Sequence, residues 1–268
     1  MVFGHAKAAR IRGIMLLLSL ALLVSLAGCK TAARQSPPLI GITSVFQPPA
    51  RQGGAAFTKV NFAYVRAVAE NGGIPLVLPT VADPNIIARY VTRLDGLVLV
   101  GGDDIPPAAY GQTPHETVKI LPDQRYNFER RLIAQWLRSE KPLLGVCLGM
   151  QFTNVVAGGS MIQDIPSQIG KQINHRAPHR VRIEPDTILS EILDAEQITV
   201  HSYHHQAVAD VPATFKIAAR SPDGLVEALE RTDGPFGLFV QWHPEAGDDT
   251  NQRNAIYGAL IRAAAKRN

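Results

Sequence analysis

Apolar and polar positions along the first half of the chain alternate between two periods. Leu39-Ile40-Gly41-Ile42-Thr43 is a short apolar run and reads as a strand. Phe57, Val60, Tyr64, Val65 and Val68 recur at helical spacing until Gly72-Gly73, a helix stop. Ile74–Leu78 predicts a strand closed by Pro79, and Leu94–Val100 a stronger one that runs into Gly101-Gly102. Phe128, Leu132, Ile133, Trp136 and Leu137 mark one face of a second helix, with Asp123 ahead of it as a cap. Pro142–Val146 is a fully apolar strand. Continuous apolar runs suit strands covered on both faces, and β–α–β alternation implies a parallel sheet.

Beyond Gly159 the pattern changes. Val181–Ile183, Ile198–Val200, Phe215–Ile217, Leu225–Leu229 and Gly237–Val240 predict short strands with no long helix until Asn251–Ala265. The expected fold is therefore α/β, a mostly parallel sheet with a mixed or antiparallel extension in the C-terminal half. No linker or internal repeat follows Pro38, so one domain over 39–268 is expected.

The N-terminus reads differently. Lys7, Arg10 and Arg12 precede an apolar run, Ile14–Ala27, that is shorter than the ~20 residues of a spanning helix. It ends in Leu26-Ala27-Gly28-Cys29, which resembles a bacterial lipoprotein box. The expectation is a signal peptide over 1–28, lipidation of Cys29, and a polar tether over 29–38. Lys30 is not an acid of the kind that retains lipoproteins in the inner membrane, so the periplasmic face of an outer membrane is expected. An uncleaved anchor is the alternative.

Charge follows from this. The whole chain has 27 basic and 23 acidic residues, but three of the basic ones and no acid fall in 1–28. The remainder, at +1, gives no electrostatic case for nucleic acid. With 46% hydrophobic residues, extended disorder is excluded, and two cysteines exclude a disulfide scaffold.

Three places concentrate chemistry. Gly145-Val146-Cys147-Leu148-Gly149 has the spacing of a nucleophile elbow, with sulfur for oxygen, where a strand meets a helix. A helix N-terminus favours thiolate, and the amides after Cys147 face an oxyanion. In Gln241-Trp242-His243-Pro244-Glu245 a base and an acid sit two apart after a strand, as a cysteine nucleophile requires. Leu99-Val100-Gly101-Gly102-Asp103 ends a strand in paired glycines, a second source of amide donors. Taken singly, each has a duller reading: a buried structural cysteine, a surface turn, an ordinary glycine turn.

His201, His204 and His205 lie in Val200–Gln206. If this is a strand, His201, Tyr203 and His205 share a face and His204 points away. No cysteine or acid lies at ligand spacing nearby, so no metal is expected. The segment reads as pocket lining or structural hydrogen bonding. His175 and His179 read as a loop without function.

Together with Val100–Pro107, Ser202–Val208 and Ser221–Ala228, these motifs make residues 39–265 similar to the class I glutamine amidotransferase-like superfamily, in its gamma-glutamyl-gamma-aminobutyrate hydrolase branch. The resemblance implies a flavodoxin-like three-layer fold without cofactors. It implies a triad of Cys147, His243 and Glu245, and an oxyanion site at the amides of Gly102 and Leu148. Gly101, Gln151, Tyr203, His205 and Gln206 would hold the glutamyl group. Leu148 stands where the branch commonly has arginine. The implied activity is hydrolysis of a small gamma-glutamyl amide by an exported, lipid-anchored enzyme. An ammonia-supplying amidotransferase subunit and a non-catalytic binding lipoprotein are the alternatives. The oligomeric state is left open, a homodimer among the options.

Overall fold

The structure is a computed structural model and describes residues 36–266 besides Met1. Cys29, the signal segment and most of the tether lie outside the described residues. The chain divides into two units, Met1–Gln35 and Ser36–Asn268, and the second carries the fold.

Its elements alternate as the apolar pattern requires. They are β1 (Leu39–Ile42), β2 (Val45–Gln47), β3 (Phe57–Lys59), α1 (Phe62–Glu70), β4 (Ile74–Val77), α2 (Pro84–Arg93), β5 (Gly96–Leu99), α3 (Asp123–Leu137), β6 (Leu143–Val146) and α4 (Leu148–Val156). The second half adds β7 (Met161–Ile162), α5 (Ile165–Gln168), β8 (His179–Ile183), α6 (Ile188–Leu193), β9 (Gln197–Val200) and β10 (Ala207–Val208). It closes with β11 (Phe215–Arg220), β12 (Val226–Arg231), β13 (Gly237–Val240) and α7 (Thr250–Ala265).

The main sheet runs β4-β1-β5-β6-β13-β12-β11-β8-β9. The first five are mutually parallel, and from β13 outward the pairing is antiparallel. Among the parallel strands the order is that of flavodoxin-like folds, which place ligands beyond the carboxyl ends of the strands.

Side chains alternate across this sheet to fill two cores. Ile40, Ile42, Val98, Val100, Leu144, Val146, Leu238 and Val240 face α1 and α7. Leu97, Leu99, Leu143 and Phe239 face α2, α3 and α4, with Trp136 fully buried among them. Strands covered on both faces have no polar side to present, hence their continuous apolar sequence.

Four expectations change. The helical stripe beginning at Phe57 splits: Phe57–Lys59 pairs with Val45–Gln47 as an outlying ribbon, and Phe57 is 55% exposed. The helix starts only after Asn61, whose side chain accepts from the Ala63 amide. Asp123 is the first residue of α3 rather than its cap; Pro122 holds the cap position. Residues 201–206 are not a strand, so alternation does not govern His201–His205. Of the two histidines expected in a loop, His175 lies in a turn but His179 opens β8, and both are buried. Helix α2 went unpredicted, although Asp83-Pro84 carries a start signal, because only Ile87 on it is fully buried.

Backbone packs closely around the junction of β6 and α4. A Cβ on Gly149 would lie 2.5 Å from the Leu99 carbonyl oxygen, and one on Gly145 would lie 2.9 Å from the Gly149 carbonyl. Neither neighbour is a flexible side-chain tip. Gly149→Ala is therefore expected to destabilise the fold by about 1–3 kcal/mol, read from the urea midpoint; an unchanged midpoint would contradict this packing.

Candidate active site

Cys147 sits where the chain leaves β6 and enters α4, with φ +53° and ψ −109°. A non-glycine residue at positive φ is strained, and such strain persists only where the surroundings enforce it. Here the Cys147 amide donates to the Val240 carbonyl at 2.8 Å, and the glycines on either side allow β5 and β13 to close in. The thiol is left 6% exposed at the floor of a cavity of about 190 Å³.

His243 comes from the segment after β13, the strand parallel to β6. Its Nδ1 lies 2.8 Å from Oε1 of buried Glu245. With Nδ1 taken, the hydrogen bond between His243 and Cys147 falls to Nε2. Burial opposes a charge on the ring, but the negative sulfur, its hydrogen bond and Glu245 prevail, and the pKa is pushed up to about 10. The ring thus keeps its proton through neutral pH.

The glycine turn after β5 faces the same sulfur. A Cβ on Gly101 would lie 3.0 Å from the His243 ring and 3.6 Å from the Cys147 Cβ. The Gly101 amide is already used, donating to the Tyr64 hydroxyl at 3.1 Å. The Gly102 and Leu148 amides meet no acceptor among the described residues. Beneath the turn lies Arg125, 1% exposed, donating to the carbonyls of Val100 and Gly101 at 3.3 and 3.0 Å and to Glu129 at 3.0 Å. A Cβ at Gly102 would clash with its guanidinium. Holding both carbonyls inward turns the next amide outward.

Sequence reasoning passed over Arg125 and Tyr64. Tyr64 lies on α1, its hydroxyl 3.5 Å from His243 Nδ1, so it links the glycine turn to the base. Burial, and then the charge of Glu245, push its pKa well up, so the hydroxyl keeps its proton. The only advance sign of Tyr64 was its place on a core stripe.

The remaining expected residues divide. Gln151, Tyr203, His205 and Gln206 all line the cavity with Cys147, whereas Gly101 does not. Gln151 is buried and donates to Gln241 Oε1 at 3.1 Å and to the Gln206 carbonyl at 3.3 Å. His205 Nε2 lies 3.2 Å from Asp104 and its Nδ1 3.4 Å from Asp164. The hydrogen bond to Asp104 raises its pKa despite burial. Tyr203, 66% exposed, lies at the rim with the Arg176 guanidinium over its ring at 5.8 Å. Arg176 and Lys119 bring positive charge to the cavity wall, and neither stood out in the sequence.

Residues 38–245 match the Peptidase C26 family. Protein NtpR of Enterococcus hirae is 39% identical over 222 residues, covering 80% of this chain and 90% of its own. Gamma-glutamyl-gamma-aminobutyrate hydrolase PuuD of Escherichia coli is 32% identical over 226 residues, covering 78% and 85%. The crystal structure of a glutamine amidotransferase from Thermotoga maritima superposes with a TM-score of 0.56 at 17% identity, over 86% of this chain and 97% of its own, a likeness of fold. With a cysteine elbow in a flavodoxin-ordered sheet and a match over most of its length, the chain belongs to the Peptidase C26 family of the class I glutamine amidotransferase-like superfamily.

Proposed function

We propose that this protein hydrolyses the gamma-amide bond of a small gamma-glutamyl compound through a thioester on Cys147. The observation that carries the proposal is the strained Cys147 elbow with His243 and Glu245 in a hydrogen-bonded line behind it. The sulfur attacks the gamma-carbonyl carbon. The carbonyl oxygen becomes an oxyanion between the amides of Gly102 and Leu148, and one such donor is worth about 10²–10³ in turnover. The imidazolium gives its Nε2 proton to the departing nitrogen, the C–N bond breaks, and an acyl-enzyme thioester remains. Neutral His243 then takes a proton from water, whose oxygen attacks the thioester; the C–S bond breaks and the thiolate–imidazolium pair returns. Glu245 holds the ring and carries its charge through both halves.

The cavity suits a glutamyl group in size and charge. Arg176 and Lys119 offer cations for its alpha-carboxylate, and Asp103 and Asp104 offer carboxylates for its amine. The kinship with gamma-glutamyl-gamma-aminobutyrate hydrolases at about 32% identity supports the same substrate class. Leu148 in the oxyanion turn, apolar and fully buried, leaves that side of the sulfur uncharged. The enzyme acts at the cell envelope, held by lipid on Cys29; this part of the proposal rests on Leu26-Ala27-Gly28-Cys29 alone.

Cys147→Ala is expected to abolish amine release in a screen of gamma-glutamyl amides, with Glu245→Gln slower by about 10²–10⁴-fold; wild-type turnover in Cys147→Ala would end the proposal. Because the active form carries a protonated His243, kcat/KM should hold through neutral pH and fall only as pH rises through about 10. An alkaline limb near the ordinary histidine value of about 6.5 would contradict a His243 that holds its proton past neutral pH. Expressed in a Gram-negative host, the chain should incorporate labelled palmitate and lose it in Cys29→Ser; unlabelled wild type would refute the anchor.

A further inference from the structure

Away from the sulfur, four buried side chains converge from separate parts of the chain. His175 comes from the segment before β8, His179 from its first residue, His204 from the loop after β9, and Glu227 from β12. One donor atom of each lies within 4.8 Å of the others. Glu227 Oε1 is 3.1 Å from His179 Nε2, 3.2 Å from His175 Nδ1 and 3.6 Å from His204 Nε2. All four residues are at most 9% exposed.

The opposite nitrogen of every ring is engaged outward. His175 Nε2 lies 2.9 Å from Asp223, His179 Nδ1 lies 3.2 Å from the Ala177 carbonyl, and His204 Nδ1 lies 2.9 Å from the Gln206 carbonyl. These partners only accept, so each ring's proton must sit on the outer nitrogen. In a neutral ring the inner nitrogen then presents a lone pair. Three inner nitrogens thus converge on one carboxylate, and only that of His179 is placed to hydrogen-bond with it, at 3.1 Å. His175 Nδ1, His204 Nε2 and Glu227 Oε2 accordingly have no hydrogen-bond partner. Buried acceptors left like this carry an uncompensated desolvation penalty.

A divalent cation set among these donors would take up the inner nitrogens together and balance the two carboxylates, Glu227 and Asp223. The donor chemistry, three imidazoles and one carboxylate, is that of zinc, and bonds of about 2.0–2.1 Å to four tetrahedral ligands place donor atoms roughly 3.3 Å apart. The contacts to Glu227 Oε1 span that value, and small ring rotations close the wider pairs. The outward carboxylate and carbonyls are the partners that orient metal-bound histidines.

We propose that His175, His179, His204 and Glu227 bind a zinc-class divalent cation. The protein fills all four positions and leaves none for water, the mark of a structural site. It ties the segment bearing Arg176 and the loop bearing Tyr203, His205 and Gln206 to β8 and β12. One wall of the Cys147 cavity would thus be pinned by the metal.

The test uses the full chain with Cys29→Ser and Cys147→Ser, so that no thiol competes. After stripping with chelator, Co²⁺ titration should give the visible absorption of tetrahedral cobalt, saturating at one equivalent. Zn²⁺ should displace it and raise the melting temperature. His179→Ala should abolish the signal, His201→Ala outside the cluster should keep it, and Asp223→Asn should weaken affinity by about 10–100-fold. Should the stripped, folded parent give neither cobalt absorption nor a melting shift with Zn²⁺, the site does not exist. A signal undiminished in His179→Ala would equally overturn it. Neither result bears on turnover at Cys147.

Discussion

The positive φ at Cys147 is the constraint on which the rest of the site depends. It makes the chain reverse sharply between β6 and α4, lifting the sulfur off the end of the sheet and aiming the next amides at the same space. Such a turn stands only if neighbouring backbone presses close, which is why Gly145 and Gly149 have no room for a side chain. The two cores, one on each face of the sheet, hold β5 and β13 against β6 and so maintain the pressure. Stability and chemistry meet in one short segment.

The electrostatics are layered behind that turn. A carboxylate stands behind the imidazole and a guanidinium behind the glycine amides, both essentially without solvent. In a low-dielectric setting fixed charges act strongly and need no rearrangement as the reaction proceeds. Tyr64 bridges the two devices, touching the glycine turn and the base with one neutral hydroxyl.

What was legible in the sequence was what is local along it. The elbow glycines, the His-Pro-Glu segment and the apolar strands each declare themselves within a few residues, and the structure brings Cys147, His243 and Glu245 together from them. The supports were illegible for the opposite reason. Arg125 and Tyr64 look like ordinary members of helices until the sheet carries them under the turn. The cluster around Glu227 draws on four segments, with His204 next to a residue of quite different surroundings, His205. Alternation misplaced that stretch because residues 201–206 leave the sheet between β9 and β10. Phe57 misled as well, since an apolar side chain at helical spacing here belongs to an exposed ribbon.

The junction at β13 separates two kinds of work. On its parallel side stand the sulfur and the unpartnered amides of Gly102 and Leu148, where backbone packs closely around the turn. On its antiparallel side, the connections around β8 and between β9 and β10 reach over the cavity with Arg176, Tyr203, His205 and Gln206. Those connections line the cavity without shaping the turn that bears Cys147. A substitution in one of these connections can thereby reshape the cavity wall while leaving the Cys147 turn as it stands.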